Sequence, residues 1–172
     1  MKKIIFIGTL HGESTPNQEL KDIITSYSPD NIFVEIMQSD IDSNNIDDYP
    51  SEMVFSLEFA KNNSIPFFGF DANINILKKG KDQVSHKEVI DKQDEIIKLY
   101  DWKDFNKKEY GLKLDEVVED WIDKEKWLKR EEEMKNNINK LLPEEGCSVV
   151  ITGSGHIEFF QQHFLEADFP FS

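Results

Sequence analysis

The sequence has little cysteine, few basic residues and no long apolar run. Its one cysteine, Cys147, excludes a disulfide within the chain and a cysteine-based zinc site. Acidic residues outnumber basic ones by 34 to 20, so the formal net charge is −14. Such a charge argues against nucleic acid or an anionic membrane as a partner. Because no apolar run approaches the length that spans a bilayer, we expect a cytoplasmic protein.

The patterns that are present predict one α/β domain over residues 1–172, the length of a compact domain. Four segments have the apolar character of buried strands: Lys3–Gly8, Asn31–Ile36, Ile65–Asp71 and Cys147–Thr152. A helical pattern over 16–27 separates the first two, as in a βαβ unit with parallel strands. The segment 72–142 is charged and helical. We therefore predict a mainly parallel sheet flanked by helices, with a helical insertion capping its carboxyl edge.

Two of the predicted strands end in the same motif, Gly-x-x-His. The motifs are Gly8-Thr9-Leu10-His11 and Gly153-Ser154-Gly155-His156. Ligands bind at the carboxyl ends of strands in open α/β sheets, so we expect His11 and His156 to converge on one site. Thr15 is expected to cap the helix that follows His11.

Three carboxylates are expected near these histidines. Glu35 lies in an apolar strand, where a carboxylate is costly unless it is paired or binds a metal. An edge strand with Glu35 facing water is the alternative, but Phe33 shares its face and favours a covered position. Asp71 ends the third strand, where a turn or cap role is also common, and Glu13 follows His11 closely.

These residue types suit a metal-dependent hydrolase. His11, Glu35 and His156 supply two imidazoles and one carboxylate, a ligand set for Mn, Co, Zn or Fe. A divalent ion lowers the pKa of its bound water and polarises a carbonyl. Glu13 or Asp71 would complete the ligands or act as general base. A serine nucleophile fits less well, because the sequence around Ser154 lacks the Gly-x-Ser-x-Gly pattern.

The motifs resemble the TraB/PrgY/GumN/Tiki family, within the broader group of the erythromycin esterase EreA and the haem-binding ChaN. The resemblance lies in the two Gly-x-x-His motifs, Val34-Glu35, Glu58-Phe59-Ala60, Pro66–Asp71 and Arg130-Glu131 with Met134. It implies an α/β fold with a metal-dependent hydrolase site; Tiki-type members are proteases, and other relatives are regulatory or bind haem. His11-Gly12-Glu13 is also similar to the His-Gly-x-Glu segment of erythromycin esterases.

The expected function is therefore a divalent-metal-dependent hydrolase, peptidase- or esterase-like, acting on a peptide or small molecule. The alternative is a non-catalytic peptide- or haem-binding regulatory protein on the same fold. The resemblance also places Arg130 at the site, pointing toward His11 and His156. There its guanidinium would bind a substrate carboxylate or an oxyanion, or pair with Glu35 or Asp71. The substrate, the metal and the oligomeric state are left open.

Overall fold

A computed structural model describes residues 2–79 and 83–172, apart from the side chains of Glu13 and of residues 83–88. Its strands form one parallel sheet in the order β1-β4-β2-β3. They are β1 (Lys2–Thr9), β2 (Asn31–Val34), β3 (Phe67–Gly69) and β4 (Gly146–Gly153). The predicted α/β fold with a parallel sheet is confirmed.

Helices of the described residues flank this sheet. They are α1 (Asn17–Ser26), α2 (Gln38–Ser43), α3 (Ser51–Asn62), α4 (Gln83–Ile97), α5 (Lys108–Val118), α6 (Lys124–Leu141) and α7 (Ile157–His163). Short 3-10 turns span Gly12–Ser14, Trp102–Asn106 and Ser154–His156. In the part of the chain that the structure describes, no helix is long and apolar enough to cross a membrane.

The strand order brings the two Gly-x-x-His motifs side by side. β1 and β4 are neighbours, and Thr9 is level with Gly153. On the other side of β4, Val34 of β2 is level with Ile151. Parallel strands that start in register also end in register, so both histidine turns and Glu35 lie at one edge of the sheet.

Both faces of the sheet are buried, as the unbroken apolar strands predict. Side chains alternate along β1, so Ile5 and Ile7 face α1 and α3 while Phe6 faces the opposite layer. In that opposite layer, Met134 of α6 and Phe160 of α7 pack against the sheet and are fully buried. The sheet is therefore the middle layer of three.

The helical insertion differs from a simple cap on the carboxyl edge. Met134 and Ile138 of α6 belong to the core beneath the sheet, so this helix covers a face of the sheet as well as reaching its edge. Two helices of the insertion, α5 and α6, are separated near Asp123, whose side chain accepts a hydrogen bond from the Lys126 amide and caps the start of α6.

Two local predictions are corrected. Thr15 does not cap α1; its hydroxyl is buried and bonds the amide and the carbonyl of Leu10, which closes the turn after β1. β2 and β3 are also shorter than predicted, since β2 ends at Val34 and β3 at Gly69. Glu35 and Asp71 therefore lie just beyond their strands, where side chains can turn toward the sheet edge.

Candidate active site at the carboxyl ends of the strands

Glu35 lies at the centre of the candidate site, and its side chain is 4% exposed. Its Oε2 accepts hydrogen bonds from the Thr152 hydroxyl at 2.6 Å and from the Gly153 amide at 2.7 Å. Its Oε1 lies 3.0 Å from Arg130 Nη2 and 3.4 Å from His156 Nε2. Each carboxylate oxygen therefore has two partners. Glu35 is therefore buried and paired, and β2 lies inside the sheet, so the alternative of an edge strand with Glu35 facing water is excluded.

Arg130 joins two of the predicted carboxylates. Its Nε donates to Asp71 Oδ1 at 2.8 Å, and its Nη2 donates to Glu35 Oε1 at 3.0 Å. The side chain is 15% exposed, so it lies inward as predicted. Of the two roles considered for this guanidinium, the contacts show the pairing with Glu35 and Asp71. Within the described part of the chain, Nη1 of Arg130 has no hydrogen-bond partner.

His156 lies between two carboxylates. Its Nδ1 is 2.9 Å from Glu131 Oε1, and its Nε2 faces Glu35. The indole of Trp127 stacks on its ring, with centroids 4.6 Å apart. Carboxylates that face both ring nitrogens favour the protonated, cationic form of the ring. Burial lowers the pKa of His156, but the charge of Glu35 and the bond to Glu131 outweigh it and raise the pKa to about 9.

The pKa values of Glu35 and Asp71, the two carboxylates paired with Arg130, shift in opposite directions. Burial acts to raise the pKa of Glu35, yet the charge of His156, its hydrogen bond and the charge of Arg130 hold this pKa well below its usual range. For Asp71, burial prevails over the bond to Arg130 and raises its pKa, with a smaller contribution from the charge of Glu35. Glu35 is therefore the ionised centre of the cluster.

His11 forms a separate pair with a carboxylate. Its Nδ1 lies 2.8 Å from Glu52 Oε1, and the Gly12 amide donates to Glu52 Oε2 at 3.1 Å. Gly12 has a φ of +81°, which suits glycine and turns its amide toward this carboxylate. Glu52 is fully buried, whereas the His11 side chain is 55% exposed. Desolvation opposes protonation, but the bond to Glu52 and the charge of Glu35 raise the pKa of His11.

The His11 pair and the Glu35 cluster meet at Gly153. A Cβ at Gly153 would lie 3.3 Å from both Cε1 and Nε2 of His11 and 3.6 Å from Glu35 Oε2. The side of the His11 ring that is not bound to Glu52 therefore faces the glycine whose amide binds Glu35. The absence of a side chain at Gly153 keeps this space open.

The predicted site residues are thus brought together with one exception. His11, Glu35, Asp71, Arg130 and His156 lie around this edge of the sheet. The backbone of Glu13 lies in the 3-10 turn after His11, but its side chain is outside the described part of the structure. Its assignment as a general base stays a prediction.

The arrangement as hydrogen-bonded does not fit a metal ion. Among the described residues, no three His, Cys, Asp or Glu side chains are placed to hold one together. Both oxygens of Glu35 are engaged, both ring nitrogens of His156 face carboxylates, and the guanidinium of Arg130 already supplies positive charge. Metal binding by His11, Glu35 and His156 stays a prediction that this arrangement does not support, and no step below depends on it.

The sequence interpretation gives no site role to two carboxylates: Glu52 is not singled out, and Glu131 appears only as part of the Arg130-Glu131 motif. Each lies in the buried stripe of its helix: Glu52 comes four residues before the buried Ser56, and Glu131 three residues before the buried Met134. Buried carboxylates are rare unless they are paired. A carboxylate at an apolar position of the helical repeat is the signal that identifies both.

No family model matches the chain, and neither does any curated protein or solved structure. The resemblance to the TraB and Tiki proteins therefore rests on its motifs alone and stays a prediction.

Proposed function

We propose that this chain hydrolyses an ester or amide bond, with His11 as the general base that activates water. The observation that carries the proposal is the pair of His11 and Glu52: a solvent-accessible imidazole whose Nδ1 is fixed by a fully buried carboxylate. A carboxylate in this position holds the ring in one orientation and keeps Nδ1 protonated. Nε2 is then the basic nitrogen, and it lies on the side of Gly153.

Arg130 supports the same chemistry from the opposite side of Glu35. Its Nε and Nη2 are bound to Asp71 and Glu35, which fix the plane of the guanidinium. Its Nη1 remains available to donate to the oxyanion that forms when water attacks a carbonyl. The Glu35 carboxylate orients both this guanidinium and the His156 ring. Glu35 and Asp71 are then positioning residues, and His11 and Arg130 contact the reacting atoms.

The motif resemblance is compatible with this proposal. The His11-Gly12-Glu13 segment is similar to that of erythromycin esterases, and the family includes peptidases. Esterases and peptidases both act on an ester or amide bond, in a small molecule or in a peptide, and this is the substrate class of the proposal. The proposal differs from the sequence expectation in the source of positive charge, which it assigns to the Arg130 guanidinium and the His156 ring in place of a metal ion.

The test is a hydrolase assay with a panel of ester and peptide substrates. His11→Ala should reduce turnover by about a hundredfold or more, the usual contribution of a general base. His163→Ala is the matched control, since the Nδ1 of His163 bonds only the Phe159 carbonyl on the surface of α7. Equal turnover in the two variants, or haem or peptide binding by a protein without any turnover, would contradict the proposal.

A further inference from the structure

A cleft of about 320 Å³ lies beside the candidate site, between α5 and the beginning of α6. Its apolar walls are formed by Leu112, Val118, Ile122 and Trp127. The side chain of Leu112 remains 45% exposed, so the cleft presents apolar surface that the fold does not cover.

One aromatic ring separates this cleft from the site. Trp127 lines the cleft and also stacks on His156, with ring centroids 4.6 Å apart. Gly155, the neighbour of His156 in the chain, lines the cleft as well. Trp127 and Gly155 therefore connect the cleft to the part of the site around His156.

The charge of the cleft is negative and mostly unpaired. Three carboxylates line it, from Asp115, Glu116 and Glu119, against one ammonium group, from Lys124. Lys124 is paired with Glu119 at 2.5 Å. Among the described residues, neither Asp115 nor Glu116 has a salt-bridge partner. Partial burial and the charges of Glu158 and Glu131 raise the pKa of Asp115, as expected for a carboxylate without a paired cation.

We propose that this cleft binds the part of the substrate beside the scissile bond and selects an ammonium group on an apolar stem. This inference deepens the proposed function and rests on it, because the bound molecule is a substrate only if the protein hydrolyses it. The stem would contact Leu112, Ile122 and Trp127 while the ammonium group pairs with Asp115 and Glu116. Apolar walls with a few placed charges are typical of sites that bind small organic groups.

Binding of three matched probes tests the cleft without any turnover. The probes are 4-phenylbutylamine, 4-phenylbutanol and 4-phenylbutyrate, which share a stem and differ in charge. Calorimetric titration of the full chain at pH 7 should show the amine binding roughly threefold to tenfold more tightly than the alcohol, and the acid most weakly. Asp115→Asn should remove most of the amine's advantage and leave the affinity of the alcohol unchanged.

Asp120→Asn is the control, since it removes the same charge from the turn just after α5 but does not line the cleft. It should leave all three affinities unchanged. Equal affinity of the amine and the alcohol, or the same effect from both variants, would overturn the inference. Amine binding by a protein that hydrolyses nothing would keep the cleft and reject the proposed function. Turnover without preferential binding of the amine would keep the proposed function and reject the role of the cleft.

Discussion

At the scale of single residues, the two site histidines differ in what surrounds them. His156 is enclosed by two carboxylates and an indole, so it is held as a cation. His11 has one carboxylate partner and an accessible ring. Only His11 combines a fixed orientation with access to water and substrate, which is why the proposed base is His11 and not His156.

Glu52→Gln should move the activity profile to lower pH. A general base works when it is neutral, so turnover rises with pH through the pKa of His11, which Glu52 raises. Removing that charge lowers the pKa and shifts the acidic limb of the kcat/KM profile downward. The glutamine also fixes the ring less well, so the plateau should fall by about tenfold or more. An unshifted limb would show that Glu52 does not act on the base.

Arg130→Lys should reduce turnover by about a hundredfold, because an ammonium group cannot reproduce the planar fork that binds Asp71 and Glu35 and still donates from Nη1. Lys129→Arg, one residue earlier on α6, is the control, because it also exchanges an ammonium group and a guanidinium group on this helix. Unchanged turnover in the Arg130 variant would contradict the role given to this guanidinium.

The sequence predicts the residues that break the apolar pattern of a strand or follow its end. His11, Glu35, Asp71 and His156 are found this way, since each is a polar group where a buried strand finishes. Glu52 and Glu131 are not found, because charges on helices are usually solvated. Their places in the helical repeat of α3 and α6 are a signal that they are covered, but the three-dimensional packing decides it.

At the scale of elements, the adjacency of β1 and β4 creates the site. The sequence predicts both strands but not their pairing, because 136 residues separate the end of β1 from the start of β4 and only tertiary packing decides which strands become neighbours. The role of α6 is likewise only partly predictable. Its apolar stripe indicates a buried face, but not that Arg130 reaches the sheet edge while Met134 lies beneath the sheet.

The end of β1 leaves no room for a side chain at Gly8. A Cβ there would lie 2.5 Å from Asn106 Oδ1 and 2.6 Å from Ile157 Cγ1. Asn106 also bonds both the amide and the carbonyl of Gly8, each at 2.9 Å, so it cannot withdraw without leaving buried polar groups unpaired. Gly8 is thus where the 3-10 turn that contains Asn106 is joined to the sheet.

Gly8→Ala should lower the free energy of unfolding by about 1–3 kcal/mol or more, the usual cost of overpacking a close contact. Gly155→Ala is the matched control in the second motif, because a Cβ there meets only the Trp127 ring at an ordinary 3.7 Å. Urea unfolding of both variants measures the difference. Equal stability of the Gly8 and Gly155 variants would show that the turn around Asn106 can move to accommodate the added methyl group.

At the scale of the whole molecule, the chain is acidic, and the buried cluster around Glu35 is stabilised by the positive charges of His156 and Arg130. The folded-state pKa of His156 is raised to about 9 from its usual 6.5. Its contribution to stability is therefore complete below pH 6.5 and is lost as the pH rises through 9. The lowered pKa of Glu35 acts in the opposite sense, since its contribution is lost as the pH falls below the usual carboxylate range.

The Tm of the wild-type protein should thus fall between pH 7 and pH 10, and His156→Gln should lose most of this dependence. Thermal unfolding in buffers across that range measures both. His163→Gln, a surface substitution, should retain the wild-type slope. If the His156 and His163 variants followed the same curve, His156 would not carry the cationic charge of the cluster.

The most direct test of the central claim is turnover of the ester and peptide panel by metal-analysed protein, with and without a chelator. The account predicts hydrolysis that persists in chelator and is lost in His11→Ala. Hydrolysis that requires an added divalent ion, with metal bound by the wild type but not by His11→Ala or His156→Ala, would contradict it and support the metal-dependent site that the sequence predicts.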